Sequence, residues 1–308
     1  MIGIEQIVSY VPAGRVSNLD RYEQAGKTRE FIENKIGFCT LARRGAHEET
    51  SDLCVKAFER LSEQTCVEVD RIDCVVVCTQ NPDGHGLPHT SAVVHGKLGL
   101  SEHVAAFDLS LGCSGYVFGL SVIQSFMREN GLRCGLLFTA DPYSRILDAK
   151  DYDTELLFGD AASLTLMGSA PRFRTLRSRF ASNGALRHSI EVSPETGKLS
   201  MQGNNVFRFT MTAVPQQIAT CLSDNGLTLD DIDLFLFHQG SKFIVDNLAG
   251  KLGIPPEKAP FMARETGNTV SSTIPLMLER HVDTAERRIL ISGFGVGLSW
   301  GTSVLERL

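Results

Sequence analysis

Phe107-Asp-Leu-Ser-Leu-Gly-Cys-Ser-Gly-Tyr116 is the stretch on which the fold turns. A short apolar run breaks at Gly112, and a long helical pattern begins just after it. Cys113, between them, therefore stands at a helix N-terminus, where unpaired backbone N–H groups and the helix dipole favour a thiolate. A thiolate held there is a nucleophile suited to attack on a thioester. A cysteine in apolar sequence also reads as a small core residue, so the position alone does not establish catalysis. The helix carries more information. Val117, Phe118, Leu120, Val122, Ile123, Phe126 and Met127 spread around most of its circumference, and apart from Gln124 its polar positions are small. Such a helix belongs in the interior, packed on more than one side, which fixes the thiol.

Two further polar residues fall at element ends. His238 closes the apolar run Leu234-Phe-Leu-Phe-His238, and Asn268 lies in a Gly-Asn turn running into the helical pattern that follows Ser271. Either alone is ordinary: a strand-end histidine, or a turn asparagine. Cysteine, histidine and asparagine, each where a regular element stops, suggest side chains aimed at one cavity.

Composition sets the bounds. The chain has 308 residues, 43% hydrophobic and 21% charged, which is enough apolar material for one large or two ordinary domains and too little charge for a disordered chain. A net charge of −6 disfavours nucleic-acid binding by the protein as a whole. No apolar run approaches the roughly 18 residues of a membrane span, and the N-terminus lacks a signal-peptide layout, so a soluble cytoplasmic protein is expected. The eight cysteines, at 39, 54, 66, 74, 78, 113, 134 and 221, form no CxxC pair and read as reduced thiols. Cys78, His85 and His89 could be imagined around zinc, but Pro88 opposes a helical placement and no fourth ligand is evident, so no metal site is expected.

Strand-like runs of four to eight apolar residues alternate with helical patterns from end to end, which predicts α/β architecture with largely buried sheets. Strands are expected at Ile4–Tyr10, Ile72–Cys78, Val104–Leu109, Cys134–Thr139, Ser163–Met167, Leu234–Phe237, Arg288–Ser292 and Ser299–Leu305. Helices are expected at Glu49–Glu63, Ser91–Leu98, Ser114–Arg128, Val206–Leu222, Ser241–Leu252 and Ser271–Val282. The polar stretch Arg172–Lys198 reads as a loop separating two halves, 1–171 with the cysteine and 172–308 with the histidine and asparagine. The terminal Ser292-Gly-Phe-Gly-Val-Gly-Leu-Ser-Trp-Gly301 is glycine-rich, but strand-like sequence follows where a dinucleotide-binding helix would start. It reads instead as a close-packed turn whose backbone N–H groups can approach a ligand.

Taken together, the chain resembles the β-ketoacyl-acyl-carrier-protein synthase III enzymes of the thiolase superfamily over nearly its full length. Ala106–Leu120, Phe158-Gly-Asp-Ala-Ala162, Met201-Gln-Gly-Asn-Asn-Val-Phe207, His238-Gln239, Gly267-Asn-Thr269 and Gly293–Gly301 carry the likeness. The resemblance implies a thiolase-like fold, two similar βαβαβ-type halves stacked as five αβαβα layers, and a homodimer. It implies that acyl-CoA acylates Cys113, and that malonyl-acyl carrier protein then decarboxylates and its carbanion attacks the acyl-enzyme. His238 and Asn268 would bind the developing enolate, and the backbone N–H groups of Cys113 and Val296 the acyl oxyanion. Phe31, Lys35 and Arg145 match the coenzyme A entrance, with Phe31 where many members have tryptophan. Arg208 and Lys251 are the basic candidates for docking the acidic carrier. Leu87 matches a position that crosses to the partner's acyl pocket, where acetyl-specific members often carry phenylalanine; the smaller leucine suggests a medium-chain primer. No metal or redox cofactor is implied, the coenzyme A thioester being substrate.

Two departures from the family pattern stand out. Ser241 replaces the asparagine of the usual His-Gln-Ala-Asn, and Phe243 lies in the segment where an arginine often meets the carrier protein. They leave room for a second reading, an acyltransferase of the same fold serving a secondary-metabolite acceptor. A non-catalytic partner subunit is a third, opposed by the presence of all three catalytic side chains. A papain-like hydrolase fails on element order, since its asparagine orients the histidine in a different arrangement.

Overall fold

The computed structural model describes residues 1–65 and 67–308, so Cys66 lies outside the described residues. In chain order the strands are β1 (Gly3–Tyr10), β2 (Gly14–Ser17), β3 (Thr40–Arg43), β4 (Cys74–Cys78), β5 (Ala105–Leu109), β6 (Gly135–Ala140) and β7 (Ala162–Gly168). They continue as β8 (Phe173–Thr175), β9 (Arg179–Ser182), β10 (Ile190–Val192), β11 (Leu199–Met201), β12 (Leu234–Phe237), β13 (Arg288–Gly295) and β14 (Ser299–Arg307). The helices are α1 (Thr50–Gln64), α2 (Thr90–Lys97), α3 (Gly115–Glu129), the one-turn α4 (Tyr152–Glu155), α5 (Gly203–Asp224), α6 (Lys242–Leu252) and α7 (Thr273–Glu279).

Hydrogen bonding runs through the strands in the order β12-β13-β14-β8-β1-β7-β6-β4-β5. β4 is parallel to both β5 and β6, and β12 is parallel to β13, while β7 and β14 close each set antiparallel. Parallel neighbours need crossovers, which α2 and α3 supply between β4, β5 and β6.

Alternation along each strand decides the layers. Val75 and Val77 of β4 pack with Leu53, Phe58 and Leu61 of α1, whereas Cys74 and Val76 face α3. Leu234 and Leu236 of β12 face the same central layer, and Phe235 and Phe237 point outward to α5 and α6. α3 and α7 thus lie between the two lobes of this continuous sheet, each lobe covered outside by its own helix pair, which is the expected five-layer order. α3 packs on β4 and β6 from one side and on β13 and β14 from the other. Tyr116, Val117, Leu120, Ile123 and Met127 are almost completely buried, each stabilising the fold by roughly 1.5–3 kcal/mol. Gln124, the large polar residue of this helix, is buried too, its amide donating to the Ile2 carbonyl at 2.6 Å.

The expected elements are present, with ends displaced by up to three residues. Two readings need correction. Arg172–Lys198 is not simply a loop: it contains β8, β9 and β10, and β8 stitches β1 to β14. Nor does a regular helix start at Ser271. Residues 270–272 form a tight turn with Val270 at φ 54°, and α7 begins only at Thr273. The helical pattern was misread there because Ser271 and Ser272 turn inward to bond rather than outward to water.

Candidate active site

The polar residues of interest sit one step beyond the carboxyl ends of parallel strands, where such sheets bind ligands. Cys78, Leu109 and Thr139 are in register across β4, β5 and β6, and Thr79, Gln80, Cys113 and Asp141 follow from those ends. His238 follows β12, and its N–H donates to the Ser292 carbonyl of β13 at 2.9 Å.

Cys113 precedes Ser114, the residue that caps α3, and is 6% exposed. Two glycines of β13 make this placement feasible. A Cβ at Gly293 would fall 2.6 Å from the Cys113 carbonyl oxygen, and one at Gly295 would fall 2.8 Å from both Cβ and Sγ of Cys113. The backbone N–H groups of Val296 and of Cys113 itself favour the sulfur's anion. The Ser114 and Ser299 hydroxyls, 2.7 Å apart, pin the helix start to β14.

The helix N-terminus does not lower the thiol pKa as the sequence suggested. Burial, then the charge of Asp141, pushes Cys113 up to about 12, and the two amides offset only part of this. At neutral pH Cys113 is therefore a thiol.

His238 is buried with its ring edge-on to Phe294 at 5.7 Å. Burial drives its pKa down to about 3, so the ring is neutral and works as a hydrogen-bonding group. Nδ1 lies 2.8 Å from the Thr273 hydroxyl, which is also 3.1 Å from the Val270 carbonyl. That hydroxyl has one proton. Donated to Nδ1, it leaves Nε2 protonated and able to donate; donated to Val270, it makes Nε2 an acceptor.

Asn268 is fixed by its backbone and by its own side chain. Its N–H donates to the Leu157 carbonyl at 2.8 Å, and its carbonyl accepts from the Gly159 N–H at 2.9 Å. Oδ1 accepts from the Val270 N–H at 2.9 Å, which orients the amide and leaves the Nδ2 group to donate. The turn after it is held by buried hydroxyls: Ser271 to Asp141 at 2.5 Å and Ser272 to the Thr139 carbonyl at 3.0 Å. β13 joins the two parts of the site, pairing with His238 through Ser292 and touching Cys113 through Gly293 and Gly295.

The outer candidates lie elsewhere. Phe31 is half-buried, and the exposed Lys35 ammonium lies 5.7 Å from its ring and 5.4 Å from the ring of Phe243. Arg145 pairs with Glu49 at 2.8 Å and donates to the Pro82 carbonyl at 3.1 Å. Leu87 is 93% exposed and adds nothing to its own chain's core. Arg208 and Lys251 are exposed on α5 and α6, Lys251 at a surface depression shared with Phe207, Met211 and Asp246. Ser241 caps α6, its hydroxyl accepting from the Ile244 N–H at 3.2 Å.

Sequence reasoning missed Thr273, Asp141 and Tyr143. Tyr143 is buried in the same apolar cluster as Cys113, its ring 5.0 Å from Phe158. The run of serine and threonine from 269 to 273 was the available signal, since hydroxyls that precede a buried helix must find partners inside.

Comparison with known proteins agrees with this geometry. The family model of the 3-oxoacyl-[acyl-carrier-protein] synthase III C-terminal region matches residues 222–307, and that of 3-oxoacyl-[acyl-carrier-protein] synthase III matches residues 107–184. A curated relative, the β-ketoacyl-[acyl-carrier-protein] synthase III of Lactococcus lactis subsp. cremoris (strain MG1363), is 32% identical over 98% of each chain. A 2.1 Å crystal structure of a 3-oxoacyl-(acyl-carrier-protein) synthase III superposes with a TM-score of 0.91 at 31% identity, covering 99% of both chains. The β-ketoacyl-[acyl-carrier-protein] synthase III of Thermus thermophilus gives 0.91 at 29% identity, covering 99% of this chain and 98% of that one. The class is thus a thiolase-fold condensing acyltransferase. Within it, the chain belongs to the 3-oxoacyl-[acyl-carrier-protein] synthase III family and is a condensing enzyme of fatty-acid biosynthesis.

Proposed function

We propose that the enzyme takes its primer from an acyl-CoA and its extender from malonyl-acyl carrier protein. The observation that carries this reading is the close approach of β13 to Cys113 at Gly293 and Gly295, which brings the Val296 N–H to the same place as the N–H of Cys113. As Cys113 Sγ bonds to the thioester carbon, the carbonyl oxygen becomes an anion that these N–H groups bind, and the coenzyme A thiolate leaves with the cysteine proton. The malonyl group then loses carbon dioxide. The electron pair of the broken C–C bond spreads onto the thioester oxygen, where Nε2–H of His238 and Nδ2–H of Asn268 donate. The carbanion attacks the acyl carbonyl, and the Cys113 thiolate departs, freeing the β-ketoacyl product. The donor role of His238 requires the Thr273 hydroxyl proton to point at Nδ1.

Phe31, Lys35 and Arg145 are proposed for the coenzyme A entrance. Phe31 already binds cations at its face, while Arg145 would exchange its Glu49 contact for the adenine. Arg208 and Lys251 are proposed for the carrier protein, their exposure supporting that role. The proposed assembly is a homodimer in the cytoplasm, in which the exposed Leu87 enters the partner's acyl pocket. Its side chain, smaller than a phenylalanine, would leave more room in that pocket and so supports a medium-chain primer.

Intact-mass measurement after incubation with acyl-CoAs from two to twelve carbons tests the reading, with Cys113→Ala as control. Cys113-dependent adducts, largest for a medium chain, followed by carbon dioxide release from malonyl-acyl carrier protein, are expected. An acetyl preference overturns the primer assignment. Acyl transfer without carbon dioxide release would move the enzyme to a different acceptor.

A further inference from the structure

Asp141 lies just beyond β6, fully buried, and no step of the condensation uses it. Its Oδ1 accepts from the Gln80 N–H at 2.7 Å and from the Thr79 hydroxyl at 3.3 Å, both after β4. Its Oδ2 accepts from the Ser271 hydroxyl at 2.5 Å, inside the turn that joins Asn268 to Thr273. All these donors are neutral. A buried carboxylate without a cation is expensive, and a neutral side chain of the same size would fill the space at lower cost.

We propose that Asp141 is a positioning residue that locks the turn carrying Asn268 and Thr273 against the strand ends beside Cys113. Two observations meet here. The bond to Ser271 spans 130 residues of sequence and joins the cysteine's part of the fold to the His238–Asn268 part. The turn it grips includes Val270, in the left-handed region at φ 54°, a conformation a β-branched residue holds only when its surroundings impose it.

The test rests on Cys113 being the nucleophile. Asp141→Asn replaces one accepting oxygen with an amide NH2 group; Ser271→Ala removes only the bond. The readout is malonyl decarboxylation by pre-acylated enzyme, which both variants should slow about tenfold or more through misplacement of the turn, with a much smaller effect on acylation of Cys113 by acyl-CoA. Unchanged decarboxylation in Ser271→Ala overturns the positioning role, as does an equal loss in both half-reactions. If Asp141→Asn does not fold, Ser271→Ala still decides the point, and failure of the wild type to be acylated at Cys113 would instead indict the nucleophile assignment.

Discussion

Replacing Gly295 by alanine tests the contact on which the nucleophile depends. The added Cβ would stand 2.8 Å from both Cβ and Sγ of Cys113, whereas ordinary contact begins at 3.4 Å. Gly295 is not among the positive-φ glycines, so space alone is at issue, not backbone strain. Something must therefore open by about half an ångström or more. The neighbours allow little: Gly293 sits equally close to the Cys113 backbone, and Ser114 is tied to Ser299. The sulfur yields most easily, rotating away from the Val296 N–H that would bind the oxyanion. A displacement approaching 1 Å costs on the order of 10²-fold in rate, and overpacking costs about 1–3 kcal/mol of stability. Single-turnover acylation by acyl-CoA, followed by intact mass, should thus fall roughly ten- to a hundredfold, with a lowered thermal midpoint. Acylation by a folded Gly295→Ala enzyme within about threefold of wild type would refute the reasoning, because the thiol would then tolerate the shift the geometry forces.

The remaining predictions concern the proton positions. His238→Ala should leave acylation of Cys113 nearly unchanged but slow malonyl decarboxylation about 10²- to 10³-fold, the loss of one preorganised donor; equal loss in both half-reactions would contradict the division of labour. Thr273→Val should reproduce part of that defect and Thr273→Ser should restore it, read from the decarboxylation rate; no difference between the two variants would exclude the hydroxyl as orienter of the ring. Because the Cys113 thiol sits at about 12, its alkylation should rise about tenfold per pH unit from 7 to 10, and a plateau below pH 8 would contradict a buried thiol. His238 titrates near 3 folded against 6.5 unfolded, so the unfolded chain binds the extra proton between those values and stability falls as pH drops through them, by up to about 5 kcal/mol. Asp141, raised to about 6, acts oppositely between pH 3.8 and 6, by about 3 kcal/mol, so the two nearly cancel in that interval and the histidine leads only at its edges. Urea unfolding of the wild type should therefore lose less than about 1 kcal/mol from pH 7 to pH 5, whereas His238→Asn, left with the Asp141 effect alone, should gain stability over that range; the wild-type dependence persisting in the variant would place the proton elsewhere.

The sequence made the central layer legible because α3 is apolar around most of its circumference and β4 beside it is a β-branched run. Cys113, His238 and Asn268 could be read because each lies where a regular element stops. Thr273 and Asp141 could not, since their meaning lies in partners far along the chain, and hydroxyls look alike whether they face water or a buried carboxylate. Arg172–Lys198 misled for a related reason: β8 and β9 draw their order from β14, more than a hundred residues later, not from local alternation. The thiol's ionisation was misjudged because a helix N-terminus is visible in sequence, whereas complete burial beside a carboxylate is not.

The double-sided burial of α3 also bears on how this chain can be divided. Its first face is covered by β4 and β6, made earlier or soon after it, but its second waits for β13 and β14 at the very end of the chain. A fragment ending near residue 171 would leave Val117 and neighbouring apolar side chains open to water and β1 without its partner β8. Expressed separately, the two halves should fail as soluble pieces and recover only when mixed. During synthesis, the nucleophile's final setting therefore forms only once the last strands have been added.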